Sequence, residues 1–272
     1  MSLEILIPTW NRPTALAATL TSLLAQTERR FSVVVSDQTP QQSYLEEPEF
    51  QTIYRVFERH GQTVRRFWHQ PARGMAEQRQ FLLEQSQADY VLYLDDDLIL
   101  EPEVVELLWQ TIEQEQCGFV GMAPIGLSYV NDYRPHQHHL EIWEGPVCPE
   151  PITWETIPWP RHLAHNAANP LHLGEKVARH GTVRYKVAWV GACVLYDRYK
   201  LLDIGAYSFW KELPAEHCGE DVTVQLQMLR RFGGCGLLPS GVYHQELPTT
   251  IPNRRVNAAH LLLPRLLASP PH

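Results

Sequence analysis

Along the first 123 residues, apolar runs of strand length alternate with stretches of helical period. Leu3–Ile7 is a short apolar run closed by Pro8, the pattern of a buried strand. Pro13 suits a helix start, where its fixed φ and missing N–H are tolerated, and Leu16, Leu20, Leu23 and Leu24 give that helix one apolar face. Phe31–Ser36 reads as a second strand, stopped by Asp37-Gln38-Thr39-Pro40. A helix over Glu49–Arg59, a weak strand over Arg65–His69 and a helix over Met75–Gln85 follow. Tyr90–Leu94 is a strand running straight into Asp95-Asp96-Asp97, and then come a helix over Pro102–Glu115 and a strand over Gly118–Ala123. This alternation predicts an α/β fold with a mostly parallel sheet and helices on both faces. Ligands of such sheets sit beyond the carboxyl ends of the strands, where Pro8-Thr9, Asp37 and Asp95–Asp97 fall.

The pattern changes at Pro124. No clean period runs through 124–186, and 8 of the 21 prolines lie between Pro124 and Pro170, so this stretch reads as an irregular, loop-rich insert. Order resumes with an apolar strand over Lys186–Leu195, a short helix over Asp197–Ile204 stopped by Gly205, and a helix opened by Gly219-Glu220-Asp221. That last helix carries Val222, Leu226 and Leu229 on one face and ends at Gly233-Gly234. Short strands at Gly236–Leu238 and Val242–His244 precede a last helix over Arg254–Ala268. The expected organisation is one domain over 1–272: a first half (1–123), the insert (124–186), a second half (187–250) and a tail (251–272).

Composition narrows the partners. With 23 Lys+Arg against 31 Asp+Glu the net charge is −8, which argues against nucleic acid as a partner, because phosphate backbones want a basic surface. Five scattered cysteines without a C-x-x-C make neither a disulfide framework nor a zinc site. The first residues lack a signal peptide's charged and apolar regions. The longest mainly apolar stretch, Val187–Tyr196, is 10 residues, short of the ~20 of a membrane helix. The reading is a cytoplasmic protein with no transmembrane segment, peripheral contact at the inner membrane face remaining open.

Candidate chemistry lies in a few acids. On an extended segment Asp95 and Asp97 would share a face with Asp96 turned away, and carboxylates with substrate phosphates suit Mg²⁺ or Mn²⁺. Glu220-Asp221 in a first helical turn is either a helix-dipole pair or a general base. His244 at a strand end is either structural or a metal ligand. Asp37 is either an acceptor for a nucleobase N–H or an Asx turn before Pro40. Arg79 shares a helix face with Met75 and Leu83 and wants an anionic partner, Asp95 or a phosphate. Trp143, Trp154 and Trp159 either stack on acceptor sugars or pin the insert to the core.

Taken together, Ile7-Pro8-Thr9-Trp10-Asn11-Arg12, Ser36-Asp37, Gly74-Met75-Ala76-Glu77-Gln78-Arg79-Gln80 and Tyr93-Leu94-Asp95-Asp96-Asp97 resemble the first half of family 2 glycosyltransferases with the GT-A fold. Val190-Gly191-Ala192, Ile204-Gly205-Ala206, Gly219-Glu220-Asp221-Val222 and Val242-Tyr243-His244 resemble its second half. Order and spacing agree over Leu3–His244 outside the insert. The resemblance implies a metal-dependent, inverting hexosyl transfer from a nucleotide-diphosphate sugar (UDP-, dTDP- or GDP-linked) to a hydroxyl acceptor such as a glycan. It implies a donor site of Pro8, Thr9, Asn11, Arg12, Asp37, Gly74, Arg79, Asp95 and Asp96, with Arg12 and Arg79 meeting the diphosphate. Asp97, as the end of a DXD motif, and His244 would hold Mn²⁺ or Mg²⁺, and Asp221 with Glu220 would be catalytic. Gln78 and Gln80 depart from the family's usual Ala and Asn. The rival reading is a non-catalytic sugar-nucleotide or glycan-binding protein on the same scaffold, which would lose the catalytic acids.

Overall fold

The strand β1 (Leu3–Thr9) is buried on both faces, which is why its sequence reads as an apolar run rather than an alternation. The same holds for β2 (Phe31–Asp37) and β4 (Tyr90–Leu94), whereas β3 (Val64–Trp68) at the sheet edge is half-exposed. The computed structural model describes residues 1–268. Strands β1, β2, β3 and β4 pair in parallel, with Leu3 opposite both Phe31 and Tyr90. The helices α1 (Pro13–Leu23), α2 (Pro48–Arg59) and α3 (Met75–Gln85) make the crossovers. Odd and even positions feed different cores. Ile5, Ile7, Val33, Val35, Leu92 and Leu94 pack with Leu16, Leu20 and Leu23 of α1, Phe57 of α2 and Leu108 of α4 (Val104–Glu115). Leu6, Val34, Val91 and Tyr93 pack with Leu82 and Leu83 of α3 on the other face. Truncating one such fully buried leucine to alanine costs about 2–5 kcal/mol.

The second half of the sheet is mixed. A two-stranded side sheet begins with β5 (Leu98–Leu100), which follows β4 directly, and β6 (Phe119–Gly121) joins the main sheet. Beyond them come α5 (Asn169–Val177), β7 (Val183–Tyr185), β8 (Cys193–Asp197), α6 (Arg198–Asp203), α7 (Glu220–Phe232), β9 (Gly234–Leu238), β10 (Val242–His244) and α8 (Ala258–Leu266). The strand order β3-β2-β1-β4-β8-β6-β9-β7 has four parallel neighbour pairs of seven, with β8 and β7 running antiparallel. The parallel order turns at β1, which has β2 on one side and β4 on the other, and this is the switch point where α/β sheets open a ligand crevice.

Three expectations are corrected. The apolar run 186–192 is a loop, buried at Val187, Ala188 and Val190 and half-buried elsewhere, and the strand starts at Cys193. Ala192 sits at φ 72°, incompatible with a strand, and Gln225 bonds Val190 at both N and O (2.7 Å each) where a ladder would otherwise serve. The insert holds the nine-residue α5, hidden in the sequence by its shortness and by Pro170 in its first turn. The last helix starts at Ala258 rather than Arg254, because Asn257 caps it, its Oδ1 accepting from the amides of Ala259 and His260. The last four residues of the expected 251–272 tail lie outside the described residues. Among the described residues no helix is long and apolar enough to cross a membrane.

Candidate active site

Two strand ends and a helix start converge on one cavity of about 500 Å³. The ends of β1 and β4 supply Pro8, Thr9, Trp10 and Arg12, then Asp95, Asp96 and Asp97. The three acids lie in a turn between β4 and β5, not on an extended segment. The expected alternation therefore fails. Arg12 Nη1 reaches Asp97 Oδ2 at 2.7 Å and Asp96 Oδ1 at 3.4 Å, while Asp95 turns to Arg79 Nη2 at 3.2 Å. Thr9 donates its hydroxyl to Asp96 Oδ2 (2.6 Å). Burial and the charges of Asp97 and Asp95 push Asp96 up to about 7, against the Thr9 hydrogen bond and Arg12.

The β5–β10 pair brings His244 to the triplet. Its register sets His244 opposite Leu98, and Gln245 N–H donates to Asp97 O (2.8 Å). His244 Nε2 then stands 3.6 Å from Asp97 Oδ2. A carboxylate and an imidazole at that separation can share one small cation, and an oxygen-rich set with one imidazole suits Mn²⁺ or Mg²⁺. Two contacts compete with such an ion. Arg12 occupies the same Oδ2, and His244 Nδ1 accepts from the Glu246 amide (2.7 Å), which puts the ring proton on Nε2. Among the described residues no three His, Cys, Asp or Glu side chains cluster into a complete metal site, so any ion would draw its remaining ligands from the substrate and water.

The far wall is the start of α7. Gly219 at φ 80° turns the chain into the helix, and a Cβ there would lie 2.5 Å from Asn257 Oδ1. This approach is stitched by Cys218 N–H to Val256 O (3.0 Å) and Ala258 N–H to Cys218 O (2.8 Å), which bring Arg254 onto the cavity wall. Glu220 is buried with Oε1 3.5 Å from Arg79 Nε. Asp221 opens to the cavity deep in the cleft. Burial, then the neighbouring Glu220 charge, raises it to about 6, despite Arg79. That change from 3.8 amounts to roughly 3 kcal/mol. The amides of Asp221 and Val222 at the helix start favour the charged form, and burial with the Glu220 charge outweighs them.

Pro8, Thr9, Arg12, Arg79, Asp95, Asp96, Asp97, Glu220, Asp221 and His244 all line the cavity, whereas Asn11, Asp37 and Gly74 do not. Asp37 is fully buried and accepts from Thr39 N–H (2.8 Å) and the Ser43 hydroxyl (2.7 Å), an Asx turn. Asn11 is exposed at φ 53°. Gly74, at φ 99°, packs where a Cβ would meet Ala215 O at 2.4 Å. Trp10, Trp189 and Arg254 line the cavity without having been singled out from the sequence. Arg254 is distinct in charge: among the described residues it is the cavity guanidinium without a carboxylate partner, Arg12 and Arg79 both being committed.

The Glycosyl transferase family 2 profile matches residues 4–172. An uncharacterized glycosyltransferase of Haemophilus influenzae is 30% identical over 112 residues, covering 41% of this chain and 35% of its own length. The 1-349 fragment of S. aureus TarS superposes with a TM-score of 0.57 at 17% identity, over 90% of this chain and 60% of that one. The same fragment in complex with UDP-GlcNAc gives 0.53 at 16% identity, over 92% and 60%. The Pyrobaculum calidifontis mannosyltransferase PcManGT, in complex with GDP-Man and Mn2+, gives 0.52 at 13% identity, over 86% and 56%. At these identities the solved structures share the fold, a GT-A one, and the matches span about a third of the relative's length and three-fifths of theirs.

Proposed function

Because the chain belongs to glycosyl transferase family 2, we propose that it is an inverting hexosyltransferase moving a sugar from a nucleotide-diphosphate donor to an acceptor hydroxyl. The observation that carries this is one cavity holding the Asp97–His244 pair at the sheet's switch point and the cleft carboxylate of Asp221 at the start of α7. UDP-GlcNAc on TarS and GDP-Man on PcManGT support a nucleotide-sugar donor.

The donor's nucleoside lies along Pro8, Thr9 and the exposed ring of Trp10 at the end of β1. Asp97 and His244 would hold Mn²⁺ or Mg²⁺ once Arg12 leaves Asp97 Oδ2 and the imidazole gives up the Glu246 amide so that Nε2 is free of its proton, and the ion would neutralise charge on the leaving diphosphate. Arg254 supplies the uncommitted guanidinium for that diphosphate, while Arg12 and Arg79 offset the acids around it. Asp221 accepts the proton of the acceptor hydroxyl as its oxygen bonds to the anomeric carbon. The bond from that carbon to the diphosphate oxygen breaks, the diphosphate leaves with the electron pair, and attack from the opposite face inverts configuration. Positioned general bases contribute ~10²–10⁴-fold. Glu220, held by Arg79, keeps the base's surroundings fixed rather than taking the proton. The test is transfer assayed with and without EDTA, and with Asp221→Asn: on this reading EDTA abolishes turnover and Asp221→Asn lowers it ~10²–10⁴-fold. Undiminished transfer by Asp221→Asn would remove the base assignment.

A further inference from the structure

The three tryptophans of the insert stay off the cavity. Trp143 takes Lys186 over its ring at 4.6 Å, and Trp154 and Trp159 meet each other edge-on with ring centres 6.1 Å apart and pack against the core. Besides Trp10 at the end of β1, the tryptophan on the cavity wall is Trp189, half-buried in the loop before β8, with no acceptor for its indole N–H among the described residues.

Its loop is fixed from two sides. Gln225 clamps Val190 at both N and O. Gln225 lies four residues after Asp221 on α7, hence on the same helix face. On the other side, Asp95 N–H donates to Ala192 O (2.9 Å). Gly191 leaves room for the indole, since a Cβ there would lie 3.2 Å from the ring. The ring is thus referenced to Asp221 through Gln225 and to Asp95 through Ala192. Its loop leads into β8, which β4 separates from β1 in the sheet.

We propose that Trp189 is the platform on which the acceptor's sugar ring stacks, so that the acceptor is a pyranose-bearing glycan presenting its hydroxyl to Asp221. A pyranose has a C–H face that an indole covers and hydroxyl edges that carboxylates and an indole N–H bind. This proposal rests on the donor reading above, which assigns the β1 side to the nucleotide.

The test is ligand-observed NMR on the full chain with UDP or GDP and Mn²⁺ present. The ligands are methyl glycopyranosides of glucose, galactose, mannose, rhamnose and N-acetylglucosamine, with open-chain sorbitol as control. Wild type and Trp189→Phe are expected to bind at least one pyranoside and not sorbitol. Trp189→Ala is expected to bind it at least 10-fold more weakly, with nucleotide binding as its folding control. Nucleotide bound by wild type with no pyranoside bound, or equal pyranoside binding by Trp189→Ala, would overturn the platform. Failure of wild type to bind either nucleotide would instead overturn the donor reading.

Discussion

Asp221 faces two opposed demands. As a base it must be ionised, yet burial and Glu220 hold its carboxyl up to about 6. The kcat/KM profile, which reports the free enzyme, is therefore expected to fall tenfold per pH unit below about 6, and Asp221→Asn should lower kcat ~10²–10⁴-fold with little change in donor Kd. Stability should move the other way. A carboxyl whose folded pKa lies above its unfolded value favours the folded state fully below about 4, and that gain is lost as pH rises through about 6. Asp221→Asn, which never ionises, is expected to melt several degrees above wild type at pH 8 and close to it at pH 4. A second residue-scale prediction concerns Arg254, the cavity guanidinium with no carboxylate partner among the described residues. Arg254→Ala should weaken a nucleoside diphosphate about 10-fold in calorimetry and the bare nucleoside hardly at all. Equal loss on both would mean that Arg254 does not meet the phosphates.

At the scale of elements, the entry to α7 is set by Gly219, with φ 80° and Asn257 Oδ1 only 2.5 Å from where a Cβ would stand. Gly219→Ala combines left-handed strain of ~1–2 kcal/mol with displacement of the α8 cap, worth ~0.5–2 kcal/mol. Chemical denaturation should lose about 2–3 kcal/mol, and no loss would contradict this account of the junction. The strand ends that build the first half of the site were legible in the sequence, because β1, β2 and β4 are buried on both faces and read as apolar runs. Asp95, Asp97, Asp221 and His244 were legible for the same reason: each follows or opens a well-marked element. The pairing of Arg12 with Asp96 and Asp97 was not, since a turn at 96–97 breaks the alternation that would have separated them. Trp189 was hidden by an apolar run that imitates a strand, whereas the loop there is held by distant partners, the amide of Gln225 on Val190 and the Asp95 N–H on Ala192 O. Arg254 was hidden because nothing local says that 254–258 is stitched to Cys218.

Over the whole molecule the excess of negative charge is repeated inside the cavity, where five carboxylates face three guanidiniums. Such a cleft would repel a diphosphate unless a divalent cation entered with it, so donor and metal are expected to bind cooperatively. Arg12 couples this balance to the segment after β10, since it bonds both the Asp96–Asp97 pair and Pro248 O. EDTA should therefore weaken nucleotide binding as well as turnover. The most direct test of the account is thermal unfolding of the full chain with UDP and with GDP, each with and without Mn²⁺. At 100 times its Kd a bound nucleotide adds about 2.7 kcal/mol, a rise of several degrees in Tm. The account predicts that rise for at least one nucleotide with Mn²⁺ and a much smaller one with EDTA. An unchanged Tm with both nucleotides in the presence of Mn²⁺ would contradict it.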